Sequence, residues 1–319
     1  MTEMTPATAA PLIRDIVDEV SKAVVGKRAV LELILAGLIA DGHVLLDDVP
    51  GVAKTLTARS LAHVAGLSYS RVQFTPDVLP ADITGSTVLD LTTREAHFRE
   101  GPIFASLVLA DEISRAPAKT QAALLEAMQE RQTTADGVAH LLPSPFLVIA
   151  TQNPIESEGT YPLPEAQLDR FILRTTIGLP ERADELEIIR RRLARGTDEV
   201  DLTPVTDAAT FLAIQRSLER VQVAEVIGSY VVDLVRATRS SAQLSVGASP
   251  RGTLAVLKLS RALAVIAGRD FVTPDDVRNV ALPALAHRVV LTADAWARGT
   301  DPRDVITAAL SSVPSPSWQ

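Results

Sequence analysis

The segment Leu45-Leu46-Asp47-Asp48-Val49-Pro50-Gly51-Val52-Ala53-Lys54-Thr55 constrains this chain more than any other. An apolar run, a Pro-Gly turn and then Lys-Thr opening Leu56-Thr57-Ala58-Arg59-Ser60 read as strand, loop and helix start. That is the layout of a phosphate-binding loop. Backbone N–H groups and the positive end of the helix dipole surround phosphates, the lysine reaches the terminal ones, and the threonine hydroxyl ligates Mg²⁺. Against the pattern G-x-x-x-x-G-K-[ST], Asp48 and Ala53 stand where glycines usually do, so only Gly51 adopts a positive φ freely. An alanine in the left-handed region costs roughly 1–2 kcal/mol, which a loop tolerates. The candidate nucleotide contacts are Pro50, Gly51, Val52, Ala53, Lys54, Thr55 and Leu56, with Thr55 also a metal ligand. An ordinary strand-to-helix turn has the same outline, so the reading needs support elsewhere.

Two further strands supply it. Phe104-Ala105-Ser106-Leu107-Val108-Leu109-Ala110 is an uninterrupted apolar run, as expected of a strand buried on both faces of a parallel sheet, and it ends in Asp111-Glu112. Carboxylates at the C-terminal end of such a strand sit where open α/β sheets bind ligands. Asp111 is placed to hold Mg²⁺ and Glu112 to orient or deprotonate an attacking water. The bland alternative is an acidic pair that favours the start of the next helix. Phe146-Leu147-Val148-Ile149-Ala150 then leads to Thr151-Gln152-Asn153, whose final amide can reach a γ-phosphate or the lytic water.

Taken in order, DVPGVAKT, LVLADEISRAP, VIATQNPIESEGTYPLPEAQLDRF and GASPRG resemble the AAA+ ATPases, and within them the MoxR family. The resemblance spans Val24 to about Val290. It implies an AAA+ P-loop α/β fold, a parallel sheet ordered 5-1-4-3-2 with helices on both faces, and a small all-α lid. It also implies roles. Asn153 matches the first sensor, and Val25 and Gly26 match the turn that contacts adenine. Arg170, in Leu168-Asp169-Arg170-Phe171, matches the arginine finger that crosses to the neighbouring subunit's γ-phosphate, and Arg251, in Ala248-Ser249-Pro250-Arg251-Gly252, matches the second sensor. The residues alone allow plainer readings, since Arg170 can pair with Asp169. Ser249-Pro250 is a good N-cap and first-turn signal, which puts Arg251 where a cation opposes the helix dipole.

Composition bounds the alternatives. At 319 residues and 47% hydrophobic content the chain has room for two domains and a sizeable core, built from Leu, Val, Ile and Ala because only 4% is aromatic. With no cysteine, disulfides, thiolate metal sites and cysteine nucleophiles are excluded. A net charge of −8 argues against broad attachment to nucleic acid or an anionic membrane, and no Asn-Lys-x-Asp segment reads guanine. Arg190-Arg191-Arg192 lies among Glu181, Asp184, Glu185 and Glu187 and reads as a solvated helix face. The start lacks a basic region followed by an apolar core, so no secretory signal is expected. Leu31 to Leu46 is too short and too charged to span a bilayer.

The expected organisation is a disordered stretch over 1–12, an α/β nucleotide-binding domain over 13–180, a helical lid over 181–308 and a disordered tail over 309–319. Strands are expected at His43 to Asp47, Tyr69 to Phe74, Phe104 to Asp111, Phe146 to Thr151 and Phe171 to Thr176. Two insertions break the alternation: Asp77 to Glu100, and Gln132 to Leu142, where Asp136-Gly137 signals a two-residue hairpin. The resulting expectation is a cytoplasmic, Mg²⁺-dependent ATPase. By resemblance it acts as a homo-oligomer, a hexameric ring, and as a chaperone-like remodeller of client or adaptor proteins, including partners with a von Willebrand factor A domain. The competing classes are a nucleotide-gated interaction module that hydrolyses negligibly and a DNA-dependent motor.

Overall fold

The computed structural model describes residues 4–90, 92, 94–154 and 161–316. Five strands, β1 (His43–Asp47), β2 (Tyr69–Gln73), β3 (Leu107–Asp111), β4 (Leu147–Gln152) and β5 (Phe171–Thr175), form one sheet ordered β2-β3-β4-β1-β5. Every pairing is parallel. Read from the other edge, this is the order 5-1-4-3-2 that the resemblance implied. The central strands β1 and β3 are buried at every position, which is why residues 44–46 and 107–110 are continuously apolar and the polar residues stand only at the strand ends. β2 lies at an edge and carries polar Arg71 and Gln73.

One face is covered by α1 (Pro6–Val20), α2 (Arg28–Ile39) and α3 (Lys54–Val64), where Val44 and Leu46 of β1 meet Leu31, Leu35 and Leu61. On the other face, Leu45 and Val148 pack with Leu124, Leu125 and Met128 of α4 (Ala118–Glu130). The C-terminal part contains α5 (Arg182–Arg195), α6 (Ala208–Ser217), α7 (Glu225–Arg239), α8 (Pro250–Ile266), α9 (Pro274–Leu285) and α10 (Pro302–Ser312). Thr273 and Asp276 form a capping box at the start of α9, and the Ser249 hydroxyl accepts from the Arg251 N–H at the start of α8. Phe211, Leu234, Leu259 and Val277 join the apolar cluster that holds Ile13 and Leu35. The lid is therefore packed onto the α1/α2 layer through one continuous core.

The chain's ends differ from expectation. Instead of staying disordered to residue 12, the N-terminus is helical from Pro6: Thr5 and Thr8 cap each other, proline occupies the first turn, and Ala9, Ile13, Ile16, Val17 and Val20 form a buried stripe. At the other end α10 runs to Ser312 with Val305, Ile306 and Ala309 buried, so the expected tail is helical over its first residues. Both helices draw stability from packing, which local composition does not reveal.

The insertions are a short helix (Pro80–Thr84) with a hairpin (Gly85–Leu89 and Ala96–Glu100), and a second hairpin (Gln132–Ala135 and Val138–Leu141). The second turns through Asp136 and Gly137, both at positive φ. The two hairpins touch where Phe98 and His140 stack, 3.7 Å between ring centroids. Among the described residues, no helix is long and apolar enough to cross a membrane.

Candidate nucleotide site

The loop between β1 and α3 has the geometry its sequence anticipated. Ala53 precedes α3 at φ 63° and ψ 25°, the left-handed conformation, and Gly51 sits at φ 86° with open space around it. No side chain caps the N-terminus of α3, which leaves its first-turn N–H groups and dipole available to an anion. The Lys54 ammonium folds over the loop onto the carbonyls of Asp48 (2.5 Å) and Gln152 (3.2 Å). Asp48, which stands at a usual glycine position, has work of its own. One carboxylate oxygen accepts from the N–H groups of Ile177 (2.7 Å) and Gly178 (2.6 Å), the other from Val49 (2.9 Å). It ties the loop to the strand exit after β5. The Val25-Gly26 turn meets that same exit: Lys27 Nζ donates to the Leu179 carbonyl, and a Cβ on Gly26 would collide with the Asp184 carboxylate at 2.0 Å.

The acidic pair lies against this loop. Thr55 Oγ1 donates to Asp111 Oδ2 at 3.3 Å, which sets the two expected metal ligands side by side. Asp111 is buried, takes Arg71 Nη2 at 2.7 Å on the same oxygen, and accepts from Thr151 Oγ1 at 2.7 Å on the other. Glu112 occupies a left-handed backbone position, φ 57°, that turns it out of the strand, and its N–H donates to Thr151 Oγ1. Its carboxylate is held by Gln73 Nε2 at 2.8 Å and Arg115 Nε at 3.1 Å. Asn153 follows Gln152, whose carbonyl anchors both Lys54 and the Asp48 N–H. Lys54, Thr55, Asp111, Glu112 and Asn153 thus gather at the C-terminal edge of the sheet, where Asp47 pairs with Gln152 and Gln73 with Asp111.

Arg170 and Arg251 do not. Arg170 precedes β5, and the register His43 to Phe171 puts it at the opposite edge, about 13 Å of strand away from the carboxylate edge. There, Arg170, Arg251, Lys258, Arg131, Asp169 and Asp41 line a cavity of about 290 Å³. Arg251 Nη1 lies 4.0 Å from Asp169 Oδ2.

A family described as "ATPase family associated with various cellular activities (AAA)" matches residues 43–173, and an AAA lid domain matches residues 236–309. The chain is 44% identical over 307 residues to Chaperone MoxR1 of Mycobacterium tuberculosis, covering 93% of this chain and 81% of that protein. This chain belongs to the MoxR family of AAA+ ATPases. It is also similar to Protein MoxR of Methylorubrum extorquens, at 32% identity over 93% of both chains. Its fold matches a crystal structure from Cytophaga hutchinsonii, provisionally described as an ATPase, with a TM-score of 0.90, 36% identity and coverage of 98% of this chain and 97% of that one. Residues 155–160, inside the stretch that carries much of the MoxR resemblance, lie outside the described residues.

Four polar residues of this MoxR site were not singled out from sequence: Arg71, Gln73, Arg115 and Thr151. Arg71 and Gln73 alternate on β2 with a period of two, a usable signal that they share a face, but the register that aligns Gln73 with Asp111 is set by the fold. Thr151 closes an apolar run like any strand-ending threonine, and its bridge between Asp111 and the Glu112 N–H needs coordinates to see.

Proposed function

We propose that this MoxR-family protein binds ATP with Mg²⁺ at the loop carrying Lys54 and hydrolyses it at the junction between subunits of a ring, using the cycle to remodel or activate partner proteins. The observation that carries the reading is the pairing of Thr55 with Asp111 at 3.3 Å beside an outward-turned Glu112, with two arginines held at the far sheet edge. The donor set fits the group. A hydroxyl and one buried carboxylate suit Mg²⁺, which binds through one or two protein oxygens and completes its shell with phosphates and water. When bound, the ion supplies charge to the β and γ phosphates and neutralises the leaving oxygen.

The chain's own groups do the rest. Lys54 leaves its two carbonyls for the phosphates, and the uncapped α3 terminus donates N–H groups to them. Gln73 and Arg115 fix the Glu112 carboxylate so that it accepts the proton of an incoming water. Asn153 orients that water or the γ-phosphate. Arg170 and Arg251 lie too far from the chain's own loop to serve it and act on the next subunit, where such an arginine contributes on the order of 10³–10⁵ in rate. Partner remodelling rests on the similarity to Chaperone MoxR1. A hexamer, partners with a von Willebrand factor A domain, a cytoplasmic setting and independence from nucleic acid belong to the same proposal, the last supported by the net charge of −8. Glu112→Gln is expected to bind ATP as the native protein does while steady-state phosphate release falls roughly 100-fold. Native turnover in that variant removes Glu112 from the chemistry, and negligible release by the native protein returns the reading to a nucleotide-gated binding module.

A further inference from the structure

Among the described residues, Arg288, three residues beyond α9, is the most heavily engaged side chain that the proposed chemistry leaves without a role. Only 3% of it is exposed. Nε donates to Asp169 Oδ1 at 2.7 Å, Nη2 to the Asp169 carbonyl at 3.2 Å and the Phe171 carbonyl at 2.6 Å, and Nη1 to the Ile172 carbonyl at 3.1 Å and to the Ala284 carbonyl. A lid side chain therefore holds the backbone on both sides of Arg170. The other oxygen of Asp169 faces the lid again, through Ser249 Oγ at 3.4 Å and Arg251 Nη1 at 4.0 Å. Beside Arg251, a Cβ on Gly252 would lie 3.4 Å from Arg288 Cδ and 3.0 Å from Leu285 Cδ2, so the first turn of α8 rests on the stem of Arg288 because position 252 has no side chain. His287 adds a bond of 3.0 Å between Nε2 and the Phe171 carbonyl.

We propose that Arg288 is a positioning residue that sets Arg170 of the α/β domain and Arg251 of the lid in one fixed relation, so that both reach the neighbouring subunit's nucleotide together. The inference rests on the trans reading of those arginines given above. The planar fork explains the choice of residue: five donors in one plane bridge a carboxylate and four carbonyls, which the single ammonium of a lysine does not reproduce. A residue that only glued the lid in place would need no contact to both neighbours of Arg170 and to the turn that carries Arg251.

Mixed rings separate the two roles, because each site takes its loop from one subunit and its arginines from the next. Arg288→Gln is expected to bind a fluorescent ATP analogue with native affinity and to lose at least tenfold in turnover. Mixing it with Glu112→Gln, which is dead at its own loop but presents intact arginines, restores turnover; mixing it with Arg170→Ala does not. Native turnover in Arg288→Gln, or equal rescue by both partners, overturns the proposal. Asp169→Asn keeps side-chain volume and one acceptor while removing the charge that Arg251 and Arg288 share, so it shows the same pattern and decides the matter if the Arg288 variant does not fold. Rescue of Arg170→Ala by Glu112→Gln is the control; its failure sinks the trans reading itself and not the role of Arg288 within it.

Discussion

At the scale of single residues, the two departures from the glycine pattern in the phosphate loop have opposite physical meanings. Ala53 pays for its φ of 63° with steric strain of about 1–2 kcal/mol, part of which glycine would return as extra freedom in the unfolded chain. Ala53→Gly is therefore expected to stabilise the protein by about 0.5–1 kcal/mol, read as a rise of about 1–2 °C in thermal midpoint without nucleotide. Asp48 carries no such strain and holds three backbone N–H groups, two of them on the strand exit at Ile177 and Gly178. Asp48→Gly, which moves the sequence toward the pattern, is expected to cost about 2–4 kcal/mol because those N–H groups lose a charged acceptor. A glycine at 48 that leaves the midpoint unchanged would show the carboxylate to be incidental. The sequence exposed both anomalies but not their signs, since Asp48 meets partners 129 and 130 positions away.

Among the elements, β1 carries a pH dependence at its first residue. His43 is buried, its Nδ1 accepts from the Val148 N–H at 3.0 Å, and its Nε2 donates to the Met128 carbonyl at 3.1 Å, so the neutral ring ties β1 to β4 and α4. Burial, reinforced by the charge of Arg131, lowers its pKa from 6.5 to about 3. Burial and the neighbouring Arg288 likewise push His287 well below its usual range. A base whose folded pKa is depressed takes up its proton only on unfolding. Its contribution is complete above pH 6.5 and is lost as pH falls toward the folded value, at about 1.4 kcal/mol per unit for each histidine. For His43 that is about 2 kcal/mol at pH 5, measurable as a drop in urea midpoint between pH 7.5 and 5, and His43→Gln should remove its share of the slope. An equal slope in the variant would place the titration elsewhere. Elements were otherwise the most legible level. Buried strands announced themselves as apolar runs, Asp136-Gly137 as a hairpin and Ser249-Pro250 as a helix start, because those signals are local. The first half of α1 escaped notice because its stability comes from a stripe packed on distant lid helices, and Arg288 because nothing in Ala286-His287-Arg288 says which carbonyls lie within reach.

For the whole molecule, the decisive fact is that the proposed catalytic groups are split between two edges of one sheet. Lys54, Thr55, Asp111, Glu112 and Asn153 stand where the strands end, whereas Arg170 and Arg251 stand where they begin, with β5 itself separating them by about 13 Å. While Asp169 and Arg288 hold the segment before β5 in place, the span of the strand separates Arg170 from the Lys54 loop of its own chain. Under the proposed trans arrangement the contact that completes the site is heterologous, one face meeting a different face of the next copy, and such contacts close into rings or run on as filaments. Turnover per subunit should therefore depend on protein concentration. It is expected to fall toward an uncatalysed baseline on dilution and to plateau at high concentration, with a midpoint that coincides with assembly followed by sedimentation in the presence of ATP. Arg170→Ala should abolish the dependence by leaving turnover at the dilute value at every concentration, whereas Lys54→Ala should lose nucleotide binding whether assembled or not. Constant turnover per subunit from the dilute monomer to the assembled state would mean that one chain completes its own site, and the division between the two sheet edges would then have no catalytic consequence.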